Sequence, residues 1–517
     1  MAVGRTRCVT LLGIDGRVVD VEADVAAGLP AFTVTGLPDT ALAQARDRVK
    51  AACRNAGLGF PDGRVTVNLS PASLPKQGSG FDLAIAVAVL AAAGVVPRDA
   101  PRDVVHLGEL GLDGRLKSVR GVLPAVLAAA RAGTDAVVVP ARNEVEARVV
   151  PGVEVRAASS LAGLVALYRG EPELDEPVLQ DVLGADSAVP ETTPSHQPDL
   201  SDVVGQPDAR TALEIAAAGG HHLLLLGPPG SGKTMLAARL PALLPALEPE
   251  VALEVTALHS LAGQLADGCG LVVRPPFVDP HHTASAAAIV GGGAGLPRPG
   301  AASMAHGGVL FLDEAPEFSS RVLDALRQPL EDGTLVIHRA AGSARYPARF
   351  QLVLAANPCP CGRSSGKGLS CTCTPMARRR YLSRLSGPLL DRVDLQVGVA
   401  AVTAAQVHGD ELCESTAEVA HRVAQARAAQ AARWRDHGWL LNAHAPGHVL
   451  RTAPFRPARH VTRDLDRAVE RGAVSMRGYD RVLRTAWTLA DLGGRAAPTA
   501  QDVARAASLR HQWSVAA

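Results

Sequence analysis

Leu223-Leu-Leu-Leu226, then Gly227-Pro228-Pro229-Gly230-Ser231-Gly232-Lys233-Thr234, then Met235-Leu-Ala-Ala-Arg-Leu240 reads as strand, glycine-rich loop and helix. The glycines let backbone N–H groups close around phosphate oxygens. Lys233 has the reach for the β and γ oxygens, and the Thr234 hydroxyl suits a Mg²⁺ ligand. The helix N-terminus behind the loop adds a favourable dipole. A glycine-rich turn without a nucleotide would need neither the apolar run before it nor the helix after it. The stretch therefore predicts a nucleoside triphosphate bound at the edge of an α/β sheet.

Working outward, Val309-Leu-Phe-Leu312 ends in Asp313-Glu314. A buried central strand that delivers carboxylates at its C-terminal edge sets them beside the loop. Asp313 then belongs to the Mg²⁺ shell with Thr234, and Glu314 orients or deprotonates the attacking water. Leu352-Val-Leu-Ala-Ala-Asn357 repeats the design with an amide that can contact the γ-phosphate or its water. In Gly387-Pro-Leu-Leu-Asp-Arg392, Arg392 can stabilise charge on the transferred phosphoryl group, usually from a neighbouring subunit. Its alternative is a surface ion pair with Asp391 or Asp394.

At 517 residues the chain predicts several domains. A net charge of +1 excludes a broadly basic protein that coats nucleic acid but allows local basic patches. Met1–Cys8 has no apolar signal region, and the longest apolar run, Leu83–Val96, is short for a bilayer span of about 20 residues. The expectation is a cytoplasmic protein with no membrane partner. Four of eight cysteines cluster as Cys359-Pro-Cys361 and Cys371-Thr-Cys373. Four thiolates suit a closed structural Zn²⁺ site, although one-residue spacing within each pair is tighter than usual, and reduced thiols or a redox-sensitive disulfide remain the alternative.

The fold class is α/β multidomain. Residues 1–168 alternate strand-like Val18–Val25, Phe32–Val34, Val65–Leu69 and Ala136–Pro140 with helical Thr40–Ala56 and Phe81–Ala93. Residues 169–198, rich in proline and acid, read as a linker. Residues 199–400 hold the nucleotide core with its parallel sheet, and 401–517 a helical lid that includes Glu411–Arg435. Leu335–Tyr346 alternates around Gly342 like a hairpin. His281-His282 lacks a third ligand in sequence and reads as a pair satisfying turn hydrogen bonds rather than a metal site.

Two stretches, Leu74-Pro-Lys-Gln-Gly-Ser-Gly-Phe-Asp-Leu83 and Gly108-Glu-Leu-Gly-Leu-Asp-Gly-Arg-Leu116, resemble the proteolytic domain of Lon proteases. That resemblance would set the nucleophile at Gly80 and the catalytic lysine at Leu123. Glycine and leucine supply neither, so the expectation is a Lon-like fold without protease activity.

Asp202-Val-Val-Gly-Gln206, Pro280-His-His-Thr-Ala-Ser285, Ala305–Glu314, Leu326-Arg-Gln-Pro-Leu-Glu331, Asn357-Pro-Cys-Pro-Cys-Gly362 and Ser386–Arg392 together resemble the ComM/YifB group of magnesium-chelatase-like AAA+ ATPases. The family usually has Pro-Gly-Glu where this chain has Pro299-Gly300-Ala301. The resemblance implies a homo-oligomeric ring, a hexamer, with ATP at subunit boundaries, and a motor that migrates branched DNA. It also implies a lid arginine at Arg477 that reaches the γ-phosphate of its own or a neighbouring subunit, and a pore-facing insert and hairpin. Arg339 and Arg345 then either meet DNA, branched or single-stranded, or are solvated charges. Two other functions stay open: a chelatase-type ATPase subunit acting through a partner, and an assembly scaffold regulated by ATP.

Overall fold

The computed structural model describes residues 3–36, 44–76, 78–172, 198–266, 268–293, 297–339, 342–364, 371–402, 406 and 413–511. Most of the linker predicted over 169–198, the start of the helix predicted from Thr40, and 411–412 of the predicted lid helix lie outside these residues.

The N-terminal sheet has seven strands: β1 (Val3–Leu12), β2 (Asp15–Ala26), β3 (Ala31–Thr35), β4 (Arg64–Ser70), β5 (Val105–His106), β6 (Ala136–Pro140) and β7 (Glu154–Ala158). Their order is β3-β4-β2-β1-β5-β6-β7. β1 and β2 form a long antiparallel ladder, whereas β5, β6 and β7 continue it in parallel. On β2, buried Val19, Val21 and Ala23 alternate with more exposed neighbours, the period-two signature of a sheet with one face in the core. The helices are α1 (Ala45–Asn55), α2 (Asp82–Ala92), α3 (Val122–Arg131) and α4 (Leu161–Arg169). Every residue of α2 is buried, so Leu83–Ala92 of the apolar run lies in a core helix. Ala45, Val49 and Cys53 of α1, at four-residue spacing, are all fully buried.

The second sheet lies among α5 (Pro207–Gly219), β8 (Leu223–Leu226), α6 (Lys233–Leu243), α7 (Pro249–Ala262), β9 (Phe277–Val278), α8 (Ala286–Val290), β10 (Val309–Leu312), the hairpin β11 (Thr334–Arg339) and β12 (Gly342–Pro347), β13 (Gln351–Ala356), α9 (Pro375–Leu382), α10 (Gly387–Leu390) and β14 (Leu395–Gly398). Its order is β9-β10-β13-β8-β14, and every pairing is parallel. β10 and β13 are buried on both faces, which is why they read as continuous apolar runs. Because β10, β13 and β8 are neighbours pointing the same way, Asp313, Asn357 and Gly227 come together at their C-terminal ends.

Across the hairpin Arg339 pairs with Gly342, and residues 340–341 lie outside the described residues. Beyond the sheet lie α11 (Thr416–Trp434), α12 (Arg459–Glu470), α13 (Met476–Leu492) and α14 (Ala500–His511). Ser415 and Glu418 form a capping box on α11, and Thr499 and Asp502 exchange bonds at the start of α14. Arg481 on α13 reaches the buried Asp394 at 2.6 Å, which ties these helices to the sheet. Arg433 covers the Trp487 ring at 4.3 Å, a cation–π contact.

The N-terminal sheet and the second sheet's elements are packed together. Glu146, buried, accepts from the Leu123 backbone at 2.8 Å, from Asn143 at 3.2 Å and from the Ser260 hydroxyl on α7. Gly13, at the β1–β2 turn, bridges Arg345 of β12, and a Cβ there would stand 2.8 Å from the Arg345 carbonyl oxygen. Among the described residues, no helix is long and apolar enough to cross a membrane.

Candidate active site

The loop after β8 is shaped by its glycines. Gly230 and Gly232 have φ of 74° and 86°, a region costly for side chains with a Cβ. At Gly227 a Cβ would stand 2.2 Å from the Val399 carbonyl oxygen, so the loop needs glycine there for close approach to the neighbouring chain. α6 begins at Lys233, with Gly232 as its N-cap, and presents its first N–H groups to the loop.

Lys233 is nearly buried and donates to the carbonyls of Gly227 at 2.8 Å and Pro228 at 2.9 Å, and to Asn357 Oδ1 at 3.1 Å. Burial lowers its pKa, while Asp313 and Glu314 pull the other way. Thr234 donates to Asp313 Oδ2 at 2.7 Å, and the other Asp313 oxygen accepts from the Glu314 backbone at 2.8 Å. Five predicted site residues, Lys233, Thr234, Asp313, Glu314 and Asn357, are thus gathered on one loop and two adjoining strand ends.

A triphosphate with Mg²⁺ fits this donor set. Ser231 Oγ is buried in the loop without a hydrogen-bond partner among the described residues, a site that can accommodate a polar group. The Thr234 hydroxyl and Asp313 carboxylate are hard oxygen donors of the kind Mg²⁺ takes. Bound there, Mg²⁺ would neutralise phosphate charge.

Three neighbours of the loop escaped the sequence reading. Gln206 donates to the Ser231 carbonyl at 2.6 Å and to that of Ala400 at 2.8 Å, bracing the loop from behind. His282 Nδ1 lies 3.4 Å from Glu314 Oε2, so the turn predicted to absorb both histidines instead delivers one to the acid. Gly362 abuts Pro229, with a virtual Cβ 2.5 Å from its ring. Among the described residues, Gln206 and Glu314 are the two non-glycine residues with positive φ, 60° and 50°. Both touch this site, as strain concentrated at function would.

Arg392 stands apart. It pairs with Glu331 and donates to the Pro388 carbonyl at 2.5 Å, rather than with Asp391 or Asp394. Burial lowers its pKa, and the charges of Arg327, Arg481 and Arg477 push in the same direction. These arginines converge on one edge, with Arg477 exposed on the first turn of α13. Neither Arg392 nor Arg477 shares a hydrogen bond with the phosphate loop among the described residues.

Cys359, Cys361, Cys371 and Cys373 offer sulfurs all within 4.8 Å of one another, and Cys359 lies 3.4 Å from Cys361 and 3.7 Å from Cys371. Tetrahedral Zn–S bonds of about 2.3 Å put sulfurs roughly 3.8 Å apart, so the cluster fits Zn²⁺.

In the N-terminal fold, Ser79 donates to Glu109, and Lys76 is wholly buried with its ammonium on the carbonyls of Gly36 (2.8 Å) and Pro71. The Leu123 side chain is fully buried in the core.

The signature described as magnesium chelatase, subunit ChlI, matches residues 199–407. Those of subunit ChlI of Mg-chelatase and of the ChlI C-terminal region match 21–143 and 413–510. An uncharacterised protein of Mycobacterium tuberculosis H37Rv is 52% identical over 99% of both chains. Escherichia coli YifB is 40% identical over 96% of this chain and 95% of its own. The competence protein ComM of Haemophilus influenzae is 40% identical over 93% and 92%. A Lon protease of Mycolicibacterium smegmatis matches at 28% identity over 30% of this chain and 21% of its own, a partial likeness.

Proposed function

The chain belongs to the magnesium-chelatase-like family of AAA+-type ATPases that includes YifB and ComM, and from that premise we propose an ATP-driven motor that remodels branched DNA as a homo-oligomeric ring, a hexamer. One observation carries the ATPase half: Lys233 bonds Asn357 and the adjacent Thr234 bonds Asp313 where three parallel strands end, with Glu314 next to Asp313.

In this reading Gly227, Pro228, Pro229, Gly230, Ser231 and Gly232 wrap the phosphates, and Lys233 leaves its own loop carbonyls to neutralise them. Thr234 and Asp313 hold Mg²⁺. Glu314 takes the proton of the attacking water, and Asn357 holds that water or the γ-phosphate. Arg392 acts on the nucleotide of the neighbouring subunit, which accords with its having no hydrogen bond to its own loop among the described residues. Arg477 supplies a further charge from the lid. The four cysteines hold a structural Zn²⁺ that braces the segment following Asn357 against Pro229.

The DNA half rests on the family resemblance and on exposed Arg339 and Arg345 of the hairpin. Turnover by assembled protein, measured with branched DNA, with linear DNA and with a porphyrin-chelatase partner, tests it. Stimulation by branched DNA with strand movement is expected. Stimulation by the chelatase partner alone would make the chain a chelatase-type subunit, and ATP-dependent assembly with neither would make it a scaffold.

A further inference from the structure

The acid assigned to the attacking water has a neighbour from another part of the chain. His282 Nδ1 approaches Glu314 Oε2 to 3.4 Å. The His282 ring is backed by His281, with centroids 4.2 Å apart, and His281 Nδ1 is itself fixed 2.9 Å from the Thr283 hydroxyl. His282 is thus steadied from behind while its nitrogen faces the carboxylate. Glu314 is constrained too, since its left-handed backbone, φ 50° and ψ 42°, fixes the direction in which its side chain leaves.

The segment carrying His282 does not end at the acid. Ser285 caps α8, and Gly292 pairs with Arg298. Its Gly291 lies against the hairpin so closely that a Cβ would stand 2.7 Å from Ile337 Cδ1. Gly292 approaches Arg339 Nη2 in the same way, at 3.1 Å, and the Tyr346 hydroxyl of β12 donates to the Pro297 carbonyl. Residues 280–293, with 297–300 paired back on them, therefore touch Glu314 at one end and β11–β12 at the other.

We propose that His282 is a positioning residue for Glu314, and that this segment transmits movement of the hairpin to the carboxylate through it. The inference rests on the reading of Glu314 as the hydrolytic base. In this role His282 acts by holding the carboxylate in one orientation. A displaced hairpin shifts Gly291, and the turn bearing His282 follows. Hydrolysis then depends on the hairpin without any change at the phosphate loop, so ATP affinity is unaffected.

The test uses the full chain without DNA and compares His282→Ala with His282→Asn in steady-state ATP turnover. The alanine variant is expected to lose about tenfold in kcat, equivalent to about 1.4 kcal/mol, with KM for ATP unchanged. The asparagine amide restores a donor near the position of Nδ1 and is expected to stay within about threefold of the parent by that same free-energy scale. Ile337→Ala, which removes the hairpin's contact with Gly291 and no charge, is expected to give the same kcat-selective loss. A His282→Ala protein with parental kcat, a loss residing in KM, or no recovery with asparagine overturns the positioning role. Parental kcat in Ile337→Ala overturns the transmission. Parent protein that hydrolyses ATP while these variants behave normally sinks this inference alone. Parent protein without hydrolysis sinks the ATPase reading and takes this one with it. Failure of DNA to stimulate turnover bears only on the DNA half.

Discussion

Lys233 Nζ donates to Asn357 Oδ1 across 3.1 Å, so the loop after β8 and the end of β13 share one cation. Asn357→Ala is expected to leave nucleotide affinity within a few-fold and to lower turnover about 100-fold, the usual cost of losing one preorganised polar contact to developing charge. Fluorescent-nucleotide titration beside steady-state turnover separates the two. An equal loss in affinity would make Asn357 an organiser of the loop instead.

Glu314→Gln keeps the size of the side chain and removes its basicity. ATP binding and ATP-dependent assembly are expected to persist while phosphate release stops. Size-exclusion chromatography with ATP and a phosphate assay check this, and brisk hydrolysis by the variant would show that another group accepts the proton.

Metal analysis of freshly purified protein is expected to give one zinc per chain, held by Cys359, Cys361, Cys371 and Cys373. Stripping it should lower turnover, since Asn357 lies close before the first ligand and Gly362 abuts Pro229. Zinc-free protein with full activity would leave the four thiols without that role.

Arg339→Ala and Arg345→Ala should each weaken DNA binding and flatten its salt dependence by about one unit in the log–log slope, as expected for the loss of one phosphate contact. Binding isotherms at several salt concentrations provide the measurement. An unchanged slope would assign both arginines to solvent.

Burial pushes the pKa of His106 down to about 3, with its Nε2 2.6 Å from the Tyr168 hydroxyl and its Nδ1 beside Thr6. The folded pKa lies below the ordinary value of 6.5. The unfolded chain therefore takes up the proton first, and stability is complete above about pH 6.5 and falls as pH drops toward 3. At pH 5 the loss is about 2 kcal/mol. Urea unfolding at pH 7.5 and pH 5 tests it, with His106→Gln expected to remove most of the difference.

The phosphate loop, Asp313, Glu314 and Asn357 were legible because each follows a short apolar strand, and parallel neighbours bring such ends together whatever lies between. The α2 run was legible as too short for a membrane, and its full burial explains its uniform apolarity. Strand β1 was not recognised, since Val3–Leu12 carries Arg5 and Arg7 on its exposed and half-exposed positions. Gln206, His282 and Glu146 were illegible for another reason. Their partners Ser231, Glu314 and Ser260 lie far along the chain and are set by packing, and no local period marks a side chain whose role is defined by another element. Arg392 shows the same limit in reverse, because its ion-pair alternative named adjacent aspartates and the fold supplied Glu331.

The left-handed backbone at Gln206 and Glu314 has a consequence for heat tolerance. Glycine would relieve about 1 kcal/mol of strain at either position. Selection for thermostable variants of this protein would therefore be drawn to these two residues first, and would return molecules that survive heating with their ATP chemistry impaired.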